Sequence, residues 1–433
     1  GSSRFGKDNR WGTFWSVGAN WRISQEKFMQ NLTWISNLSA KISYGEQGND
    51  NLLRYDSLEG GYVPDYYPWQ GLYPLEYPNA NQVGGLIGAL ENKKLSWEKS
   101  GNLNVGIEAS MFDGRLNVSA EYYNRKTTDM LLGYPKATSS GFSEYNANIG
   151  SMRNTGFEFS LGGSLIKTTD FIWNLTWMGS TVTNKVLKLT GESPEIIKGV
   201  FSIKEGMPIN TYYMAKSAGV DPATGAQLYW VYDKDDNGNI TNEYISSDYQ
   251  KAANSKYYSG SRIPDLYGSI NTDFSYKNFD FSMVMQGVAG NQIVNRKRGD
   301  RRWHSELNYD LDQFENRWTG EGSTNEYMSA KGSVKPWNIS NFNSFYVEDG
   351  SYFRIQNVQV AYTFPKKDFG KFKMPSIRLS LTADRPLTVF KANSFSPELG
   401  SKNEKGEIAS SSYGFDERVY PLASSYTLGL RII

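Results

Sequence analysis

The sequence predicts an all-β protein, a transmembrane antiparallel β-barrel wall of about 11 strands, and three observations carry that expectation. Apolar and polar side chains alternate with a period of two along most of the chain. Short turns alternate with long loops. Mean hydropathy is only −0.56, and no apolar run approaches the roughly 20 residues of a helical span. A barrel strand, which shows lipid only at every second side chain, stays within that limit.

The strands follow in order. Segments 11–23 and 32–46 open the series, with Trp15 and Trp21 suited to an interfacial girdle. In 97–112, Leu103, Val105, Ile107, Ala109 and Met111 alternate with Asn104, Gly106, Glu108 and Ser110. Asp113-Gly114 turns the chain, and 115–130 continues with Leu116, Val118, Ala120 and Tyr122 on the apolar face. Segment 146–166 carries Phe157, Phe159 and Leu161; segment 171–187 carries Phe171, Trp173, Leu175 and Trp177. Segments 263–277 and 279–292 meet at Lys277-Asn278. In 351–364 the apolar residues change from odd (Phe353, Ile355) to even (Val358, Val360), which predicts a bulge near Gln356-Asn357. Segments 376–390 and 420–433 complete the set.

Connections 24–31, 113–114, 167–170, 277–278 and 365–375 are short, whereas 47–96, 131–145, 188–262, 293–350 and 391–419 are extended and rich in Gly, Tyr and Asn. Short turns at one end and long loops at the other are the asymmetry of an outer-membrane barrel, with its turns in the periplasm and its loops outside. A soluble sandwich or propeller predicts strands of about 5–6 residues instead.

Composition narrows the function. The chain has 433 residues, no Cys and one His, with 46 basic against 45 acidic side chains. That excludes thiolate metal sites, Cys nucleophiles and disulfides, and the charge balance gives no footprint for nucleic acid. His304 lies in a long loop and reads as a surface or packing residue. Glu108 and Glu158 sit on polar strand faces, where a solvated lumen explains them. No enzymatic chemistry is expected.

Several separated motifs carry a resemblance: Gly1-Ser-Ser-Arg-Phe-Gly6, Trp11-Gly-Thr-Phe-Trp-Ser16, Ser43-Tyr-Gly-Glu-Gln-Gly-Asn49, Leu95-Ser-Trp-Glu-Lys99, Tyr122-Tyr-Asn-Arg-Lys-Thr-Thr-Asp129, Asn154-Thr-Gly-Phe-Glu158, Gly219-Val-Asp-Pro-Ala-Thr-Gly225, Asp349-Gly-Ser-Tyr-Phe-Arg354 and Tyr362-Thr-Phe-Pro365. Together, and in this order, they resemble the SusC/RagA family of TonB-dependent outer-membrane transporters. The resemblance implies the C-terminal half of a 22-stranded barrel, with residues 1–433 all barrel and the plug and N-terminal domains outside this chain. It further implies import of oligosaccharides with a SusD-like surface lipoprotein, powered through TonB by way of the plug, in the outer membrane of a Gram-negative cell. The family also contains peptide importers of the RagA type, so a peptide ligand stays open, as does a non-transporting, glycan-binding surface adhesin.

Two sets of residues are candidates for binding. Aromatic side chains offer flat apolar faces to sugar rings, which singles out Tyr66, Tyr67, Trp69, Trp303, Trp337, Tyr413 and Phe415. Packing of the loops on one another or on a partner is the competing reading for these rings. Separately, Asp233, Asp235 and Asn237 lie at alternate positions before Gly238, the first half of a calcium loop. The closing Glu is missing, because position 244 is Tyr244. No cofactor is required; calcium is the one ion the spacing admits.

Overall fold

The computed structural model describes residues 1–56, 61–73, 75, 84–142, 144–190, 194–235, 239–295, 311–324, 326–329, 343–369, 372–392, 396 and 422–432. Its main sheet is an antiparallel meander in which each strand pairs with the next. The wall strands are β1 (Ser16–Trp21), β2 (Ile35–Asn49), β3 (Glu98–Met111), β4 (Leu116–Thr128), β5 (Ser151–Lys167), β6 (Phe171–Thr181), β7 (Leu266–Tyr276), β8 (Phe279–Ala289), β9 (Tyr352–Phe364), β10 (Ile377–Phe390) and β11 (Ser425–Ile432). From β2 to β10 they run 11 to 17 residues each. A tilted strand needs about 9–11 to cross the hydrocarbon layer.

The two faces explain the alternation. Val17, Ile42, Ile107, Phe157, Trp177, Leu381 and Leu428 all point to one side, and all are exposed, Leu428 to 72%. Among the described residues no protein layer covers this apolar face. A sandwich would bury it, so lipid is the solvent that accounts for it. The opposite face carries Lys41, Glu108, Glu121, Asn174, Asp273 and Asp280, paired laterally across strands.

Turns at one end are tight. Phe112, Asp113 and Gly114 have φ of 54°, 56° and 80°, three left-handed residues in succession between β3 and β4. Lys277 (φ 53°) sits in the two-residue link between Tyr276 and Phe279. The predicted bulge is present: Met285 pairs with Ile355 but Val284 with Asn357, leaving Gln356 as the extra residue.

Two expectations need correction. Segment 171–187 is not one strand; it breaks at Val182, whose N–H donates to the Asp265 carbonyl at 3.3 Å. The register on β5 is nonetheless unbroken, with Ser180 opposite Glu158 and Thr183 opposite Thr155. Nor are the long connections merely extended. Residues 195–258 fold into a six-stranded sheet (strands Glu195–Lys198, Phe201–Lys204, Thr211–Val220, Gln227–Lys234, Ile240–Ser246 and Lys256–Tyr258) with a short helix, Tyr249–Asn254. Short hairpins, Leu53–Asp56 with Gly61–Pro64 and Leu131–Pro135 with Glu144–Asn148, occupy the first two long loops.

These loops have cores of their own. Tyr212, Met214, Val294 and Tyr346 form one, and Ala215, Tyr229, Val231 and Ala252 another. Among the described residues these hydrophobic clusters thus gather at the loop end, while the wall shows one face to lipid and one to the lumen.

Candidate functional site

The lumen face is built by register. One lateral row runs Lys41, Gly106, Glu121, Glu158, Ser180, Tyr267, Val288 and Tyr352, each on the strand next to the last. Alternation puts all eight on the polar side. Lys41 starts on β2 but ends on β4: its ammonium lies 2.8 Å from Glu121 and 3.0 Å from Glu108 of β3. It gets there by lying across Gly106. A Cβ at that position would come 2.9 Å from the Lys41 Cε and 3.1 Å from the Ala120 carbonyl oxygen, so the missing side chain is the channel through which the lysine crosses a strand.

Glu121 and Glu158 face each other directly, an arrangement that repels unless a cation is shared. Lys41 supplies that cation to Glu121, and Glu158 is left exposed to the lumen. Farther round, Asn174 donates to Asp273 at 2.8 Å, Arg378 pairs with Asp280, and Gln359 donates to Thr382 at 3.0 Å. Beside the row is a concavity of about 570 Å³ lined by Glu121, Glu158, Tyr267, Gln286 and Tyr352 among others. Its donors and acceptors stand at strand spacing, about 4.8 Å apart laterally, which is the scale of hydroxyls along a saccharide or amides along a peptide. It can hydrogen-bond such a ligand.

The loop aromatics divide. Trp69 packs against Phe5, Leu52 and Leu95 in a small core beside Trp97, so it braces the loop. Tyr66 and Tyr67 are exposed, to 62% and 57%. The guanidinium of Arg4 lies 5.6 Å from the Tyr66 ring centre, and Arg4 is itself tied to the Asp50 carbonyl. Tyr66 is thereby held on a fixed base while its ring stays open to solvent. Trp303, Trp337, Tyr413 and Phe415 lie outside the described residues, as does His304.

The acidic turn has a use for its carboxylates. Both Asp235 oxygens accept from Asn239, from its backbone N–H at 2.8 Å and its side-chain amide at 3.1 Å, while Asp233 accepts from the Asn242 side chain at 3.4 Å. Among the described residues no group of three His or carboxylate side chains converges; Asn237 lies outside them. Asp233 and Asp235 as arranged accept the hydrogen bonds that close a hairpin.

Alternation gave Glu108 and Glu158, but not the lysine that crosses between strands. Its signal was present in the sequence: a lysine on the polar phase of β2, and a glycine on the polar phase of β3.

Comparison with known proteins agrees with this architecture. Residues 1–384 match the family model described as "TonB dependent receptor-like, beta-barrel". The chain is 30% identical over its whole length to TonB-dependent receptor P26 of Formosa agariphila, covering 43% of that protein, and 27% identical to TonB-dependent receptor SusC of Bacteroides thetaiotaomicron, covering 41%. Among solved structures, 99% of it superposes on 44% of a chain of the RagAB peptide transporter, with a TM-score of 0.80 at 27% identity. The chain spans about two-fifths of the length of these relatives, and its wall corresponds to the C-terminal half of their 22-stranded barrel. The strands that cross, the lipid-facing apolar side and the family match agree: this chain belongs to the TonB-dependent receptor β-barrel family of the outer membrane.

Proposed function

We propose that this chain forms the wall and outer loops of a TonB-dependent importer that carries oligosaccharides across the outer membrane. The observation that carries the reading is the polar lumen row with its concavity, a surface of carboxylates, amides and hydroxyls spaced for a polyhydroxylated ligand, beneath loops that present Tyr66 and Tyr67. A SusD-like surface lipoprotein closes over the loops. TonB acts through a plug domain carried elsewhere in the protein. By residue type, Trp303, Trp337, Tyr413 and Phe415 are further candidates for contact with the ligand.

Peptide import is the second reading, and the specific observation in its favour is the likeness to RagAB, which is a peptide transporter. Backbone amides would use the same row of donors and acceptors.

A deletion strain grown on single glycans and on defined peptides as sole nutrients separates the two. Loss of growth on particular glycans, with peptide growth intact, is the expected result. Loss on peptides alone transfers the assignment to peptide import, and unimpaired uptake of every nutrient rejects transport, leaving a binding adhesin.

A further inference from the structure

The Gly219–Gly225 motif has no part in the lumen or in the exposed tyrosines, yet it is one of the most elaborately bonded turns in the molecule. The Asp221 carboxylate accepts from the Thr224 hydroxyl at 2.5 Å and the Ala223 N–H at 2.9 Å; these two bonds hold its carboxyl below the usual carboxylate range. The Asp221 N–H donates to the Ala226 carbonyl and the Gly225 N–H to the Asp221 carbonyl, both at 2.8 Å. The result is a rigid turn that ends at Gly225 with φ of 72°.

What that turn presents is used by the other long loop. The Trp318 ring lies flush on Gly225, against the spot a Cβ would fill. Its indole N–H donates to the Pro222 carbonyl at 2.8 Å, and the Ser329 N–H donates to the Gly225 carbonyl at 2.8 Å. Trp318 is 8% exposed. Only glycine fits, both for its backbone conformation and for the ring above it. The same two loops also meet just before β9, where Tyr346 packs on Tyr212 and Met214, and where the Ser217 N–H donates to the Ser344 hydroxyl at 2.9 Å.

We propose that the Asp221–Gly225 turn, in the loop between β6 and β7, and the segment around Trp318 and Ser329, in the loop between β8 and β9, open locally as one cooperative unit, with Trp318 the tongue and the turn the catch of a clasp that couples them. A segment fixed only at its root can pivot. Fixed again at Trp318 and Ser329, it must move with the sheet beneath it, and units of this kind share one opening equilibrium. The clasp joins loops of neighbouring hairpins, so a ligand that orders either loop orders both, whichever nutrient is carried.

Amide hydrogen exchange on the complete transporter tests this. In the wild type, peptides covering 219–226 and 316–329 should show protection within about threefold of each other and lose it at the same denaturant concentration. Trp318→Ala should split them, with exchange in 316–329 rising at least tenfold while β7 and β8 are unchanged. Should Trp318→Ala fail to reach the membrane, Gly225→Ala decides, because its added methyl displaces the ring and leaves the tongue intact. Protection that already differs more than tenfold in the wild type, or that survives in the variant that folds, overturns the clasp.

Discussion

Replacing Leu381 by Arg tests the assignment of faces directly. Leu381 is 55% exposed on the apolar side of β10 and lies four residues in from Ile377, where the strand leaves the turn end. At about 3.4 Å per residue and a tilt near 40°, that is roughly 10 Å along the membrane normal, close to the middle of an apolar band about 25 Å tall. An Arg there costs about 2–4 kcal/mol, a change of roughly 30- to 900-fold in the folding equilibrium. Ser380, one residue away, points into the lumen opposite Gly429, and Ser380→Arg should cost no more than about 0.5 kcal/mol. The assay is urea-dependent folding of the complete barrel protein into lipid vesicles. Equal costs at the two positions, or a larger cost at Ser380, would refute the assignment of the faces.

Other expectations concern individual contacts. Gly106→Leu and Lys41→Met each remove the bridge to Glu121, so a double-mutant cycle on folding stability should be strongly non-additive; full additivity would show that the lysine does not use that gap. Trp69→Ala should destabilise by about 3 kcal/mol through lost packing on Phe5, Leu52 and Leu95. Tyr66→Ala and Tyr67→Ala should instead leave the denaturation midpoint nearly unchanged and weaken ligand capture, as titration with whichever nutrient the deletion strain fails to grow on will read. Addition of a calcium chelator should leave both the melting temperature and the metal content of the purified protein unaltered, whereas Asp235→Ala should lower local stability by about 1 kcal/mol; calcium lost in Asp233→Asn/Asp235→Asn would restore the ion site.

The wall was legible in the sequence because its two faces meet different solvents. Leu379, Leu381 and Ala383 against Ser380 and Thr382 can be read only one way, and the change of phase at Gln356 was as visible as the strands themselves. The loop sheet was hidden for the converse reason. Thr211-Tyr212-Tyr213-Met214-Ala215 is buried or half-buried on both faces, so its side chains show no alternation and its Gly- and Tyr-rich surroundings read as loop. Trp69 and Trp318 were visible as aromatics in loops, but the partners that fix them, Phe5 and Gly225, lie 64 and 93 positions away in the chain. Spacing carries no information about such pairs. Asp233 and Asp235 admit both readings in the sequence, since metal ligands and hairpin-closing side chains are the same residue types.

Lys41, Gly106 and Glu121 also form a unit of inheritance. If a lineage fills position 106, the lysine loses its path and the acid its counter-charge, so the three positions should change together across relatives. Correlated change between 41 and 121 taken alone would argue that β2 and β4 are adjacent strands. They are not: β3 lies between them, and a glycine makes it transparent to the contact.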